Sequence, residues 1–154
     1  QNAFDHYGVT SMQVPNFMKR GIVLSGAVLL TVLSATSQAA TPQSFLEGYA
    51  QEAKAQNPAF KGFSVKAGES FYKQTHGGDW SCSSCHTDNP TAVGKHAVTS
   101  KLIQPLSPNA NPERFTDVAK VNKWFKRNCN DVLKRECTAE EKGNLLTYLL
   151  SAKP

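Results

Sequence analysis

The segment Cys82-Ser-Ser-Cys85-His86 combines two thiols and an imidazole within five residues. Thiols at this spacing can each add to one vinyl group of a haem, and a histidine directly after the second thiol lies under the iron as an axial ligand. The alternative is half of a structural zinc site, but the other two cysteines, Cys129 and Cys137, are eight residues apart and form no second motif of this kind. The segment therefore predicts one covalently attached haem c, held by Cys82 and Cys85, with His86 as the proximal iron ligand.

A secretory signal peptide is predicted near the start of the chain. Met18 is followed by Lys19-Arg20, then by a mostly apolar stretch at 21–33 and a segment of small residues at 34–40. This order of basic, apolar and small-residue regions is typical of an export signal, and cleavage is expected after Ala39. The apolar stretch is too short to span a bilayer comfortably, so we expect no permanent membrane anchor; a retained anchor is the alternative.

The expected organisation is an upstream segment at 1–17, a signal peptide at 18–39 and one monohaem cytochrome c domain at 40–154, the mature chain. An exported chain enters an oxidising compartment, here the periplasm, where paired cysteines persist. The apolar content of 40% excludes a disordered tail and a membrane bundle. The formal net charge is +5, but we expect no nucleic acid partner because the protein is predicted to work outside the cytoplasm.

Methionine is absent from the mature chain. Both methionines, Met12 and Met18, precede the expected cleavage point, so the thioether that often ligates haem c opposite the histidine is excluded. The remaining candidates for the sixth iron ligand are His76, His96, a lysine, Asn128, water or an empty position. The two histidines lie ten residues to either side of the predicted proximal ligand, and a lysine would first have to lose its proton.

Helical patterns account for most of the mature chain. Each predicted helix opens with a residue suited to capping or starting a helix, and the last one has the capping box Thr138-Ala-Glu-Glu141. No alternating run is long enough for a sheet, so the predicted fold class is all-α. The stretch 88–112 is rich in Pro, Gly, Asn and Ser and is expected to be mostly irregular, and loops this long usually wrap something. The predicted helices begin near Thr41, Ser64, Thr116 and Thr138.

Asn128 continues the apolar stripe of the third of these helices. Val118, Val121, Phe125 and Asn128 recur at offsets of three, seven and ten residues, which places them on one helix face. An amide is unusual on an apolar face unless something there needs it. The alternative is an ordinary helix C-cap, where Asn is common, and the spacing alone leaves both interpretations open.

Further motifs resemble known haem proteins. Gly68 followed by Tyr72, and Leu-Thr-Tyr148-Leu in the last helix, resemble the helix crossing of class I cytochromes c, in which aromatic rings pack over a small glycine. From about Gly68 to Leu150 the chain closely resembles the sphaeroides haem protein (SHP) family. The segments that carry this second resemblance are Pro105–Pro108, Asn111–Asp117, Val121, Lys123-Trp124, Arg127–Asn130, Cys137-Thr138 and Glu141-Lys142.

The resemblance implies a class I cytochrome c-like fold around one haem c. In the SHP family an Asn is the axial ligand opposite the histidine and detaches when the iron is reduced, and the matching residue is Asn128. The family also has a disulfide next to this Asn, which corresponds to Cys129 and Cys137. Detachment on reduction agrees with the chemistry of the ligand, because an amide oxygen is a hard, neutral donor that suits Fe(III) better than Fe(II).

These inferences together predict a periplasmic electron-transfer protein whose reduced haem binds O₂, NO or CO. The alternatives are a plain electron carrier without a gas site, or a haem enzyme acting on NO with O₂ or on peroxide. An enzyme of this kind would need an acid or base on the distal side to transfer protons during O–O chemistry, and the candidates are His76, His96 and Arg127.

Basic residues are concentrated in one part of the chain. Seven lie between Arg114 and Arg135, against only Asp117 and Asp131 in the same stretch. They indicate either a solvated helix face or a docking surface for an acidic electron donor, since complementary charge speeds encounter. The resemblance implies that the donor is a dihaem cytochrome c.

Overall fold

The computed structural model describes residues 39–154. The upstream segment expected at 1–17 and the signal peptide expected at 18–39 lie outside the described residues, apart from Ala39. Among the helices within 39–154, none combines the length and the apolarity needed to cross a membrane.

The described part of the chain is mostly helical, which confirms the all-α class. Two short elements were not predicted: the four-residue helix that contains Cys85 and a two-stranded antiparallel hairpin, in which Gly94 pairs with Ile103. Strands of two residues are too short to show alternation, so no sequence pattern reveals them. In chain order the elements are α1 (Pro42–Gln56), α2 (Val65–Lys73), α3 (Ser83–His86), β1 (Gly94–Lys95), β2 (Leu102–Ile103), α4 (Val118–Leu133) and α5 (Ala139–Ser151).

The four long helices begin where capping residues predict. The Thr41 hydroxyl accepts from the Ser44 amide of α1, and the Ser64 hydroxyl accepts from the Ala67 amide of α2. At α5 the Glu141 carboxylate accepts from the Thr138 amide at 2.8 Å while the Thr138 hydroxyl accepts from the Glu141 amide, so the capping box is confirmed. These bonds satisfy amides that an α-helix leaves without partners in its first turn. The N-cap of α4 is Asp117.

The core forms where α1 and α2 pack on α5. Phe45 and Tyr49 enter it from α1, and Phe115, in the loop before α4, meets Phe45 edge to face with ring centroids 6.0 Å apart. Leu146 and Leu149 of α5 are fully buried. Burial of these side chains is the main source of stability for a domain of this size.

The crossing of α2 and α5 depends on Gly68. A Cβ atom at this position would overlap the backbone carbonyl of Asn144 in α5. Above the crossing, the rings of Tyr72 and Tyr148 pack at 5.4 Å between centroids, and the Asn144 side chain accepts from the Ser64 amide at 2.7 Å. The crossing expected from the class I cytochrome pattern is therefore present.

We expect Gly68→Ala to lower the free energy of unfolding by about 1–3 kcal/mol, the usual cost of forcing extra volume into a packed site. The matched control is Gly48→Ala on α1, where a Cβ would meet nothing within 4 Å. That control should stabilise the protein by about 0.5–1 kcal/mol, because alanine is the better residue in a helix interior. Urea unfolding of the haem-loaded variants measures both. Equal effects of the two substitutions would contradict a crossing that needs a glycine.

Candidate functional site

A cavity of about 770 Å³ brings together residues of α3 and α4. Cys82, Cys85 and His86 line it, and so does Asn128. Its volume falls within the range of pockets that hold small molecules and cofactors, about 300–1,000 Å³. Four residues that the sequence singles out for chemistry therefore share one cavity.

The helix α3 is a single turn held at its start by serines. The Ser81 amide donates to the Ser84 hydroxyl at 3.0 Å, and the Ser84 amide donates to the Ser81 hydroxyl at 3.1 Å. This reciprocal pair fixes the turn, and residues three apart on a helical turn project from the same side. Cys82 and Cys85 both carry free thiols here. Burial raises the pKa of the Cys82 thiol to about 11, so it stays protonated at neutral pH.

His86 completes α3 and is neutral at physiological pH. Burial, and to a lesser degree the charge of Arg114, lowers the pKa of its imidazole to about 4. A neutral imidazole has the free lone pair that a metal ligand needs. Arg114 is itself held in place, because its Nε donates to the Pro105 carbonyl at 2.9 Å and its Nη2 to the Gln104 carbonyl at 2.7 Å.

The cavity walls are largely apolar. Phe115, Leu145 and Leu149 are buried residues of the core that also line the cavity. Trp80 and Trp124 line it as well and remain 42% and 41% exposed. Apolar and aromatic walls with a few convergent polar groups are typical of cofactor sites.

The strand β1 runs close to α3. A Cβ atom at Gly94 would overlap the carbonyl of Cys85 and lie 3.0 Å from the Cα of His86. Beyond β1, the Ala97 amide donates to the Cys85 sulfur at 3.4 Å. The hairpin therefore packs directly on the backbone that carries the thiol and the imidazole, and this is why it needs a glycine there.

Asn128 lies within α4 and not at its end. The helix continues to Leu133, and its C-cap is Lys134, in the left-handed conformation with φ of 60°. The interpretation of Asn128 as a helix C-cap is therefore wrong. Asn128 lines the cavity and is exposed, and its side chain forms no hydrogen bond with any other residue within 39–154.

A disulfide joins Cys129 to Cys137, immediately after Asn128. The two Cα atoms are 5.6 Å apart, and both residues are buried. The bond links α4 to the segment that precedes α5, so the part of α4 that carries Asn128 is tied to the core.

The two other histidine candidates differ in position. The Nε2 of His76 lies 2.9 Å from the Phe71 carbonyl, and His76 is not among the residues that line the cavity. His96 does line it, but its Nδ1 accepts from the amides of Val98 and Thr99 at 3.3 and 3.1 Å. One ring nitrogen of each is therefore engaged with the backbone.

Arg127 lines the cavity too, and its guanidinium lies 5.6 Å from the centroid of the Trp124 ring. Sequence reasoning missed Arg114 as part of this site. Arg114 lines the cavity from the loop before α4, and helical periodicity does not predict where the side chains of a loop lie.

The residues of the cavity fit a covalently attached haem. Two free thiols on one turn match the two vinyl groups, and the neutral imidazole of His86 directly follows them. The apolar walls match a flat, largely apolar ring system, and the volume is sufficient for a cofactor.

Comparison with known proteins agrees with this fit. Residues 58–149 match the family model described as a domain of unknown function, DUF1924. The chain is 37% identical to cytochrome c'' of Methylophilus methylotrophus over 135 residues, which is 85% of this chain and 89% of that protein. It is 38% identical to the cytochrome c-type protein SHP of Cereibacter sphaeroides over 136 residues, which is 86% of this chain and 98% of that protein.

Two solved structures are similar to the fold. Oxidised SHP, described as an oxygen-binding cytochrome c, matches with a TM-score of 0.64 and 36% identity, covering 73% of this chain and 97% of that one. The solution structure of cytochrome c'' of Methylophilus methylotrophus, described in terms of haem-ligand detachment, matches with a TM-score of 0.66 and 38% identity, covering 73% and 94%.

We expect the haem-loaded protein to contain no free thiol. Two cysteines are then in thioether bonds and two in the disulfide, so iodoacetamide under denaturing conditions should add no mass. After reduction it should add two carbamidomethyl groups, which mass spectrometry counts and maps to Cys129 and Cys137. Mass gained without a reductant would contradict this assignment of the four cysteines.

Proposed function

Because the chain belongs to the c-type cytochrome family of cytochrome c'' and SHP, and carries one covalent haem c, we propose that it is a periplasmic electron-transfer protein with a redox-gated site for O₂, NO or CO. The observation that carries this proposal is that Asn128 lines the same cavity as His86. The predicted export signal and the Cys129–Cys137 disulfide support the periplasm, where such bonds persist.

Each residue of the site has one role in this proposal. Cys82 and Cys85 anchor the haem through thioether bonds, and His86 supplies the proximal nitrogen. Asn128 supplies an amide oxygen on the distal side. The neutral state of His86 suits ligation, because no proton has to be lost first.

Asn128 acts as the gate. When bound, haem supplies an iron atom that can accept and donate one electron. The reduced iron prefers diatomic ligands that accept electron density. The amide oxygen of Asn128 is a hard donor, so it would bind ferric iron better than ferrous iron. Two relatives support this gate by analogy: SHP is described as an oxygen-binding cytochrome c, and cytochrome c'' in terms of haem-ligand detachment.

The disulfide limits how far Asn128 can move. Cys129 is buried and tied to Cys137, so the backbone next to Asn128 stays with the core in both redox states. The gate then needs only a change in the side chain or a small shift of α4. A short displacement keeps Asn128 ready to return when the electron leaves.

The electron donor is an acidic redox protein, and the resemblance to the SHP family favours a dihaem cytochrome c. Lys120 and Lys123 are exposed on α4, and neither forms an ion pair with another residue of the part that the structure describes. Lys120 also lines the cavity. Positive charge beside the cavity would guide an acidic partner to the surface nearest the haem, where electron transfer has the shortest distance to cover.

We expect Asn128→Ala to change the ferric optical spectrum and to leave the ferrous spectrum nearly unchanged, since the amide is bound only before reduction. The matched control is Asn130→Ala, also on α4, whose amide donates to the Lys126 carbonyl at 2.7 Å and does not line the cavity. That control should leave both spectra unchanged. If His96→Ala alters the ferric spectrum and Asn128→Ala does not, the ligand assignment is wrong.

The charge of α4 should govern the reaction with the donor. The double variant Lys120→Gln/Lys123→Gln should slow reduction by an acidic dihaem cytochrome c severalfold at low ionic strength, and the difference should fade as salt screens the charges. Stopped-flow absorbance measures the rate. Lys54→Gln, an exposed residue near the end of α1, serves as control and should have little effect. Equal slowing by the control would contradict a docking surface on α4.

A further inference from the structure

Thr87, directly after His86, has an unusual backbone conformation. Its φ is 62° and its ψ is 169°, at the C-cap of α3. This region is almost confined to glycine, and a β-branched residue there is a genuine outlier. The surrounding structure must therefore hold Thr87 in place, and the backbone of His86 with it.

A buried tyrosine supplies one of the bonds that hold it. The Tyr72 hydroxyl donates to the Thr87 carbonyl at 2.7 Å, across fifteen residues of sequence. The Tyr72 side chain is fully buried on α2, and burial raises its pKa far above the usual range, so the hydroxyl always has a proton to donate. Thr87 is also braced locally, because its own hydroxyl donates to the Asn89 carbonyl at 2.7 Å.

Other groups restrain the same backbone from the sides. The Tyr148 hydroxyl of α5 makes a longer contact of 3.5 Å with the Asp88 carbonyl. Gly94 of β1 lies against the backbone of Cys85 and His86. The direction of the His86 imidazole is thus set not only by the short helix α3 but also by the α2–α5 pair and the hairpin, which fix the chain around it.

We propose that Tyr72 is a positioning residue for His86. Its hydroxyl holds the Thr87 carbonyl, keeps the chain after α3 in its strained conformation and so sets how the imidazole meets the iron. This inference rests on the role of His86 as the proximal ligand that is proposed above. In the reduced protein, where Asn128 is proposed to detach, His86 would be the remaining ligand from the protein, so the effect is expected to be largest there.

The experiment compares three single variants and one double variant, Tyr72→Phe/Thr87→Gly, of the haem-loaded protein. Tyr72→Phe removes the hydroxyl and keeps the ring. Tyr49→Phe is the matched control, because the Tyr49 hydroxyl is buried and has no hydrogen-bond partner within the described residues. Thr87→Gly places a residue that adopts positive φ without cost at the strained position. Resonance Raman spectroscopy of the ferrous protein measures the histidine–iron stretching band, and flow–flash kinetics measures CO release.

We expect Tyr72→Phe to shift or broaden the histidine–iron band and to change the CO release rate by at most about fivefold, the factor that corresponds to the whole free energy of one ordinary hydrogen bond. Tyr49→Phe should leave both unchanged. In the Thr87→Gly background Tyr72→Phe should have a much smaller effect, because glycine no longer needs the hydroxyl to hold its conformation.

Three results would overturn the inference. If Tyr72→Phe lowers only the urea midpoint and leaves the band and the rate at the Tyr49→Phe values, Tyr72 is merely structural. If its effect is equally large with Thr87→Gly, the hydroxyl does not act through the conformation of Thr87. If the unsubstituted ferrous protein has no histidine–iron band, its iron is not five-coordinate through His86 alone, so the redox gate of the proposed function fails and this inference loses its premise.

Discussion

The close approach of α2 and α5 at Gly68 is the constraint on which the rest of the structure depends. No side chain fits between the two helices there, so their backbones meet. This contact brings Tyr72 and Tyr148 together above the crossing and directs both hydroxyls at the carbonyls that follow His86. The proximal side of the cavity is thus built on a crossing where two helices meet backbone to backbone.

The distal side is built differently. The helix α4 buries Cys129 and Val132 and exposes much of its remaining surface, and Asn128 lies on it without a hydrogen-bond partner among the described residues. The disulfide ties α4 to the segment before α5, and Phe125 packs on the Tyr49 ring of α1 at 6.0 Å between centroids. The exposed ion pair Lys126–Glu136, at 3.9 Å, contributes little to stability. His86, the ligand proposed to stay, is therefore held by the packed pair of α2 and α5. Asn128, the ligand proposed to detach, lies on α4, which has fewer contacts with the rest of the domain.

The sequence predicts the helical framework well, because each long helix has a strong local signal. Ser64, Asp117 and Thr138 cap helices within a residue of the expected starts. The chemistry of the motif at Cys82–His86 is equally local. The family resemblance and the haem are then supported by the relatives.

The rest could not be predicted because it depends on contacts between distant segments. The hairpin of β1 and β2 exists because Gly94 packs on α3, and two-residue strands have no pattern of their own. The exact end of α4 decides whether Asn128 is a cap or faces the cavity, and sequence patterns locate helix ends only within a few residues. The bond from Tyr72 to Thr87 links two elements whose approach is set by the whole fold.

The central claim is that reduction opens a site on the iron, and the optical spectrum of the ferrous protein with and without CO tests it most directly. The account predicts a five-coordinate, high-spin ferrous spectrum that converts rapidly and completely to the CO form. A six-coordinate, low-spin ferrous spectrum that CO does not change would contradict it and would leave a plain electron carrier.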